Sequence, residues 1–503
     1  MGLAGDGAGS GRGDAVIRSP RGNQLRCKVV AEGGNLGFTQ RGRIEAALGG
    51  VRLNTDAIDN SAGVDTSDHE VNLKVLLALP IEAGELTLDG RNELLERVAD
   101  DVVRHVLYDN YLQVQILSQE TEVAAQRMEY YEELITELEA VGMLDRELES
   151  LPSSDEVAAR ISAGSGMVRP ELSVLLAYAK RLLRDQVTAS TLPDDTYLHG
   201  DLAQYFPPEV VARFGEYVER HPLRREIIGT IVTNDVITSM GITFVPRMVA
   251  ETGASPDEVA RAFFVAREVS VARTRWDDVE ALDGVVPPDV QLELMRAVDT
   301  MVEQLARWYL QHVPQLDLAT EVEHTRPAFA ELLGCLEDVA TSAWRATRDE
   351  RLDELVSQGV PERPARFGAA VPDLVFAPDI IAVSRETGRS LPDIAHAFFV
   401  VGERLYLDAI EDRVARLPAD TRWQRLAWAS QLDDLRLLRR QIVARVIDQS
   451  GGAGIDEAVD SYLQARVDPY ERLARLIETS SQAAADDASM VMVMVHQIRQ
   501  VVA

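Results

Sequence analysis

The sequence predicts a mostly α protein: a partial Rossmann-like α/β segment at the N-terminus, followed by a long multi-helical region. Three observations carry that expectation. β-like runs are confined to residues 28–31 and 51–54. Each ends in a polar loop rich in Gly, Asn or Ser, with a helical pattern between them, the grammar of a parallel strand–helix–strand unit. From Arg91 onward the apolar residues recur at helical spacing, and strand-like alternation is essentially absent.

Taken in order, residues 1–22 are rich in Gly, Ser and Asp without periodicity and read as a flexible lead-in. Residues 23–118 read as the α/β segment, and 119–503 as the helical region, divisible into related units of about 208–325 and 326–503. The first helix is expected from Thr39 to Leu48, closed by Gly49-Gly50. The run at 51–54 then enters a loop holding Asn60, Ser61 and Gly63. Ser67 followed by Glu70 has capping-box spacing, so the next helix is expected to open at Ser67. In open parallel sheets ligands bind beyond the carboxyl ends of the strands. The loops at 32–38 and 56–67 should therefore face one site.

Leu94, Val98, Val102 and Val106 keep one helical face apolar. Ala124, Met128, Tyr131, Ile135 and Leu138 alternate steps of four and three, which suits a helix–helix contact. Pro170 occupies a first-turn position ahead of a strongly amphipathic stretch. Further helices are expected to begin near Pro208, Leu223, Pro256, Pro288, Ala328, Arg363, Asp393, Thr421 and Pro469. One repeat is visible: ETGASPDEVARAFFVAREV from Glu251 echoes ETGRSLPDIAHAFFVVGERL from Glu386, 135 residues on. Two related helical units would put Phe263-Phe264 and Phe398-Phe399 in the core. A paired ligand or partner surface is the other reading.

Composition narrows the function. A net charge of −31, from 51 basic and 82 acidic side chains, repels phosphate backbones, so no nucleic acid is expected as partner. No membrane is expected either: the longest uncharged apolar run, 75–81, falls far below the roughly 20 residues a span needs. Cys27 and Cys335 are the two cysteines, which gives no disulfide framework and fits a reducing cytoplasm. No histidine lies at metal-ligand spacing from another, so no metal site is expected. Lysine occurs three times, at 28, 74 and 180, which leaves few candidates for amine chemistry.

Two loops carry the candidate residues. Gly33, Gly34 and Asn35 allow close backbone approach and left-handed geometry, and could hold a ribose or carboxamide. A tight strand-to-helix turn is the alternative. Asn60-Ser61-Ala62-Gly63 is a second such loop, or an Asx-type turn. Ser67 starts a helix, and its hydroxyl with the free amides there would also suit a carboxylate ligand.

Residues 31–77, AEGGNLGFTQRGRIEAALGGVRLNTDAIDNSAGVDTSDHEVNLKVLL, closely resemble the end of the catalytic domain of large bacterial NAD-specific glutamate dehydrogenases. RVADDVVRHVLYDNYLQVQILSQE, RPELSVLLAYAKRLL, LRREIIGTIVTN, GITFVPRMVAETGAS and LPADTRWQRLA resemble that family's helical C-terminal region. The likeness runs from about residue 15 to the end. Smaller glutamate dehydrogenases carry the motifs EGAN and NAGGVxxSxxE, matched here by Glu32, Gly33, Gly34 and Asn35 and by Asn60, Gly63, Val64, Ser67 and Glu70, with Ser61-Ala62 in place of Ala-Gly. The resemblance implies that Gly33, Gly34, Asn35 and Asn60 contact NAD and that Ser67 binds the side-chain carboxylate of L-glutamate.

It also implies oxidative deamination to 2-oxoglutarate and ammonia, in a complete enzyme that is a cytoplasmic homo-oligomer. The family's catalytic lysine and aspartate, substrate domain and Gly-rich dinucleotide loop lie upstream of its EGGN motif, and neither Lys28 nor Lys74 matches that lysine. Residues 23–118 are therefore expected to be a remnant of the NAD-binding catalytic domain, with no catalytic residue in this chain and no activity of the chain alone. The alternative function is a non-catalytic helical module for oligomerisation or regulation.

Overall fold

The computed structural model describes residues 21–34, 37–419, 421–480 and 487–502. Of the expected lead-in, all but Arg21 and Gly22 lie outside them. The chain divides into two compact units, Met1–Arg261 and Ala262–Ala503, taken here separately.

The first unit opens with α1 (Gln40–Leu48), whose cap Thr39 accepts from the Gly42 N–H at 3.1 Å. Gly50, with φ of 90°, closes it where a side chain would be strained. The expected strands on either side do not form. Residues 28–31 and 51–54 meet in parallel at an isolated bridge between Val29 and Arg52. There the Val30 N–H donates to the Arg52 carbonyl at 3.0 Å and the Arg52 N–H to the Lys28 carbonyl at 2.8 Å. Two extended segments over a small cluster of Ala46, Val51 and Leu53, with Leu25, Val30 and Ala47 packed against it, are too few to hold a ladder in water. Among the described residues there is no strand, so the Rossmann-like segment reduces to this contact.

The second loop is also corrected. Residues 56–67 are mostly helical, forming α2 (Asp56–Asp59) and the start of α3 (Ser61–Glu82). The helix thus opens at Ser61, six residues ahead of Ser67. A distant side chain decides this: the Asn110 amide donates to the Ile58 carbonyl at 2.7 Å and to Ser61 Oγ at 2.8 Å, pinning the α2–α3 turn.

Asn110 lies on α5 (Ala99–Val123), reached through α4 (Leu88–Arg97). Then come α6 (Met128–Ala140), α7 (Ser154–Ser162) and α8 (Arg169–Ala189), which carries Pro170 in its first turn as expected. The apolar series Ala124, Met128, Tyr131, Ile135 and Leu138 is at most 2% exposed throughout. α9 (His199–Tyr205), α10 (Pro208–Val218), α11 (Arg224–Met240), α12 (Phe244–Thr252) and α13 (Pro256–Val269) follow, the division between units falling inside the last. Buried Glu120 caps the turn after α11, accepting from the Ile242 N–H at 2.7 Å. A Cβ on Gly241 would lie 2.1 Å from that carboxylate, and φ there is 88°, so the turn requires glycine.

The second unit contains α14 (Ala272–Glu280), α15 (Pro288–His312), α16 (Leu318–Val339), α17 (Ser342–Ser357), α18 (Glu362–Leu374) and α19 (Ala377–Thr387). It continues through α20 (Leu391–Arg404), α21 (Leu407–Arg416), α22 (Arg422–Gln449), α23 (Ile455–Gln464), α24 (Val467–Ser480) and α25 (Ala488–Val502). The helix expected near Ala328 begins ten residues earlier. Asp317 caps it, accepting from the Thr320 N–H at 2.8 Å, and Pro327 is carried inside. Among the described residues no single helix is long and apolar enough to cross a membrane.

The two copies of the repeat share local backbone features. α12 and α19 each end in a left-handed glycine, Gly253 and Gly388, and each is followed by a core helix. Both core helices then end ahead of a non-glycine residue in the left-handed region, Val271 and Tyr406, which are again 135 residues apart. Phe263, Phe264, Phe398 and Phe399 are at most 1% exposed, so these aromatics are core.

The deepest polar group of the second unit is Arg439, fully buried on α22. Its Nε donates to the Phe398 carbonyl at 3.1 Å and its Nη2 to Asp408 at 2.8 Å, while the guanidinium lies 4.4 Å from the Phe376 ring centre. It reaches Asp408 only because residue 402 lacks a side chain: a Cβ on Gly402 would fall 1.5 Å from Arg439 Nη2. Gly402→Ala should therefore separate a buried charge from its partners and cost about 3–5 kcal/mol in urea unfolding. A loss comparable to that of a surface substitution would contradict this account of Arg439.

Candidate functional site

The approach to the site is built on one buried ion pair. Glu32 and Arg43, each 5% exposed, form a two-pronged contact, with Nε and Nη2 each 2.8 Å from a carboxylate oxygen. Arg43 Nη2 also lies 3.0 Å from Asp56 on α2. The peptide N–H of Glu32 donates to Asp59 Oδ2 at 2.8 Å, and Asn54 donates to the other oxygen of the same carboxylate at 2.8 Å. The residues immediately ahead of Gly33 and of Asn60 are thus hydrogen-bonded to each other. That contact joins the starts of the two motif segments.

Gly33 and Gly34 form an exposed bend with open space where a Cβ would project. Neither has a positive φ, so the left-handed geometry anticipated there is not used. Asn35 lies outside the described residues. Asn60 ends α2 and precedes α3, and its amide lies back over the next turn. A Cβ on Gly63 would come within 2.7 Å of Asn60 Oδ1, so the glycine makes room for it. Ser67 is exposed in the second turn of α3 and starts no helix. Lys74 pairs with Glu70 on the same solvent-facing side.

A second group of residues escaped the sequence reading. The face of α3 directed at α5 is polar for its first three turns. Ser61 accepts from Asn110 at 2.8 Å and from Gln113 at 3.2 Å. One turn on, Asp65 lies within the field of Asp109 on α5 and Lys180 on α8. Next comes His69, 1% exposed, with Nε2 3.8 Å from Asp65. Its ring is 4.7 Å from His105 and stacks at 4.1 Å on Tyr205, and His105 in turn lies 3.7 Å from Asp109. Asn72 ends the series, donating to the Tyr205 hydroxyl at 2.8 Å. The spacing 61, 65, 69, 72 is helical, but it could be seen only by starting the helix at Ser61.

Burial shapes the ionisation of this ladder. It pushes the Asp65 carboxyl up to about 7, with Asp109 adding to the rise and Lys180 opposing it. Burial likewise pulls His69 down to about 4, helped by His105. Lys180 is drawn down to about 8 by the same loss of water, against the pull of Asp109 and Asp65. Among the described residues no three His, Cys, Asp or Glu side chains are placed to hold a metal ion.

In this helical protein two short polar segments rest on one buried ionic support. Residues 8–120 match the family described as bacterial NAD-glutamate dehydrogenase, catalytic domain, and residues 164–500 match glutamate dehydrogenase, C-terminal. The chain belongs to this glutamate dehydrogenase family. Proteins named NAD-specific glutamate dehydrogenase are similar to it in Pseudomonas aeruginosa (40% identical over 470 residues, 93% of this chain) and Halomonas elongata (38% over 458, 91%). One from Mycobacterium tuberculosis is 32% identical over 484 residues, 95% of this chain. The chain spans only 28–29% of the length of these relatives.

Two outcomes are expected. The folded carboxyl of Asp65 binds its proton more tightly than the unfolded one, so this group's contribution to stability falls as pH rises from about 4 to about 7. Asp65→Asn should therefore melt higher than the parent at about pH 8, by a margin that shrinks to nothing near pH 4. Equal melting at both values would refute the burial argument. Ser67→Ala, which removes no cap, should change stability by less than about 0.5 kcal/mol in chemical unfolding.

Proposed function

We propose that this chain forms part of an NAD-dependent glutamate dehydrogenase, an oxidoreductase that converts L-glutamate to 2-oxoglutarate and ammonia. The observation that supports the reading is the Glu32–Asp59 hydrogen bond, which joins the residue ahead of Gly33 to the residue ahead of Asn60. The names and family of the relatives support it. The open bend at Gly33 and Gly34 leaves room for a dinucleotide to lie against the backbone, and the Asn60 amide offers both a donor and an acceptor. The resemblance assigns Asn35 to NAD as well, and exposed Ser67 to the substrate carboxylate. Bound NAD supplies the hydride acceptor.

The chain's own lysines explain why it should not turn over glutamate by itself. Lys74 is salt-bridged, Lys180 lies on α8 within the field of two carboxylates, and Lys28 is exposed beside the Val29–Arg52 bridge. Neither Lys28 nor Lys74 matches the catalytic lysine that the resemblance implies. The catalytic residues then come from protein outside this sequence, in a cytoplasmic homo-oligomer. Exposed Val64 and Val71 on α3 and Val103 and Leu107 on α5 support further protein contacts at this end.

Calorimetric titration with NAD tests the reading. Binding should be detectable and should weaken about tenfold in Asn60→Ala, the size expected for one lost polar contact. No heat at millimolar NAD would favour the non-catalytic helical module instead. Glutamate-dependent NADH formation by the purified chain alone would overturn the assignment of catalysis elsewhere.

A further inference from the structure

The second unit holds a pocket of about 330 Å³ that no motif marks. That volume is at the lower end of the roughly 300–1,000 Å³ typical of small-molecule sites. Part of its lining is apolar: Leu333 and Leu336 on α16, Leu352 on α17 and Phe367 on α18. Arg275 on α14, Arg348 on α17, and Arg363 and Arg366 on α18 line it as well. Two carboxylates, Glu337 and Asp349, complete the charged lining. In a chain with a net charge of −31, a pocket with more arginines than acids stands apart.

The arginines are not equally satisfied. Buried Arg348 donates to Asp373 at 2.9 Å, and Arg366 pairs with Glu337 at 3.0 Å and Glu362 at 2.7 Å. Arg275 and Arg363 instead share Asp278, whose Oδ2 lies 3.8 Å from the first and 3.2 Å from the second. Neither pairing gives that oxygen a hydrogen bond, and Arg275 Nε is also buried without a hydrogen-bond partner. One carboxylate between two guanidinium groups leaves one positive charge without an acid of its own. Burial pulls Arg275 below its ordinary value, with Asp278 opposing the fall and Arg363 adding to it. Its guanidinium lies 4.5 Å from the Phe367 ring centre, where charge and apolar lining meet.

Packing of the repeat does not require an arginine here. α14 and α21 start directly after the left-handed residues Val271 and Tyr406, so the two helices correspond. The counterpart of Arg275, 135 residues on, is Ile410, which is fully buried.

We propose that this pocket binds a small amphipathic carboxylate, its anionic end on Arg275 and Arg363 and its apolar body against Leu333, Leu352 and Phe367. A guanidinium matches the two oxygens of a carboxylate, and the arginines disfavour a neutral hydrocarbon. The leucines and Phe367 in turn favour a carbon chain over a bare anion. The site lies within the second unit and does not depend on the reading of the EGGN and NSAGV segments.

Calorimetric titration of the full chain with octanoate tests this, with octan-1-ol and inorganic phosphate as comparisons. Octanoate should bind at one molecule per chain, about tenfold or more tighter than either comparison. Arg275→Gln and Arg363→Gln should each weaken it about tenfold, the size expected for one hydrogen bond to a charged group. Any octan-1-ol binding should stay as in the parent. Arg363 is mostly exposed, so its variant keeps the test open if Arg275→Gln does not fold. Leu352→Asn should weaken octanoate while leaving phosphate unchanged. Equal binding of octanoate and octan-1-ol overturns the proposal, as does phosphate binding as tight as that of octanoate. Octanoate affinity unmoved by the arginine substitutions, or no heat at millimolar octanoate, overturns it too.

Discussion

The two-pronged contact between Glu32 and Arg43 is the constraint on which the N-terminal part of this protein depends. Both groups are almost fully withdrawn from water, so removing either would strand a buried charge at a cost on the order of 3–5 kcal/mol. The same guanidinium touches Asp56, and the Glu32 peptide is held by Asp59. Asn54 and Arg169 then tie that carboxylate cluster to α8 at 2.9 Å. Gln40 adds a hydrogen bond to the Pro170 carbonyl at 2.9 Å. A segment too short to build a sheet is thus fastened to the helices by ions and amides instead of by a ladder.

That substitution of polar for apolar fastening recurs throughout the chain. Glu120 holds the Gly241 turn, Arg439 fills the space left by Gly402, and the ladder from Ser61 to Asn72 seats α3 on α5. Each draws on partners distant in sequence, and two of the three need a glycine to let the charged group approach. Such contacts specify a geometry more sharply than apolar packing, because a misplaced buried charge is costly while a misplaced methyl is tolerated.

The functional reading follows the same physics. The backbone just ahead of Gly33 is tied to the residue ahead of Asn60 by the Glu32–Asp59 hydrogen bond, beside the buried Glu32–Arg43 pair. Binding groups placed on supported backbone lose little freedom when a ligand arrives, which favours affinity.

The sequence by itself determined the helical majority, most helix starts, the internal repeat with its buried phenylalanines, and the pairing of the two motif segments. Periodicity and first-turn prolines are local signals, written in residues a few positions apart, so they survive without a structure. Only the tertiary structure decided that residues 28–31 and 51–54 stop at one bridge, since a strand exists by virtue of its neighbours. It also decided that α3 begins at Ser61, because Asn110, half a hundred residues away, satisfies the turn that Ser67 looked fit to cap. The Asp65–Asp109–Lys180 group was illegible for the same reason. Its members are unremarkable one by one, and only packing of three helices brings them into one field.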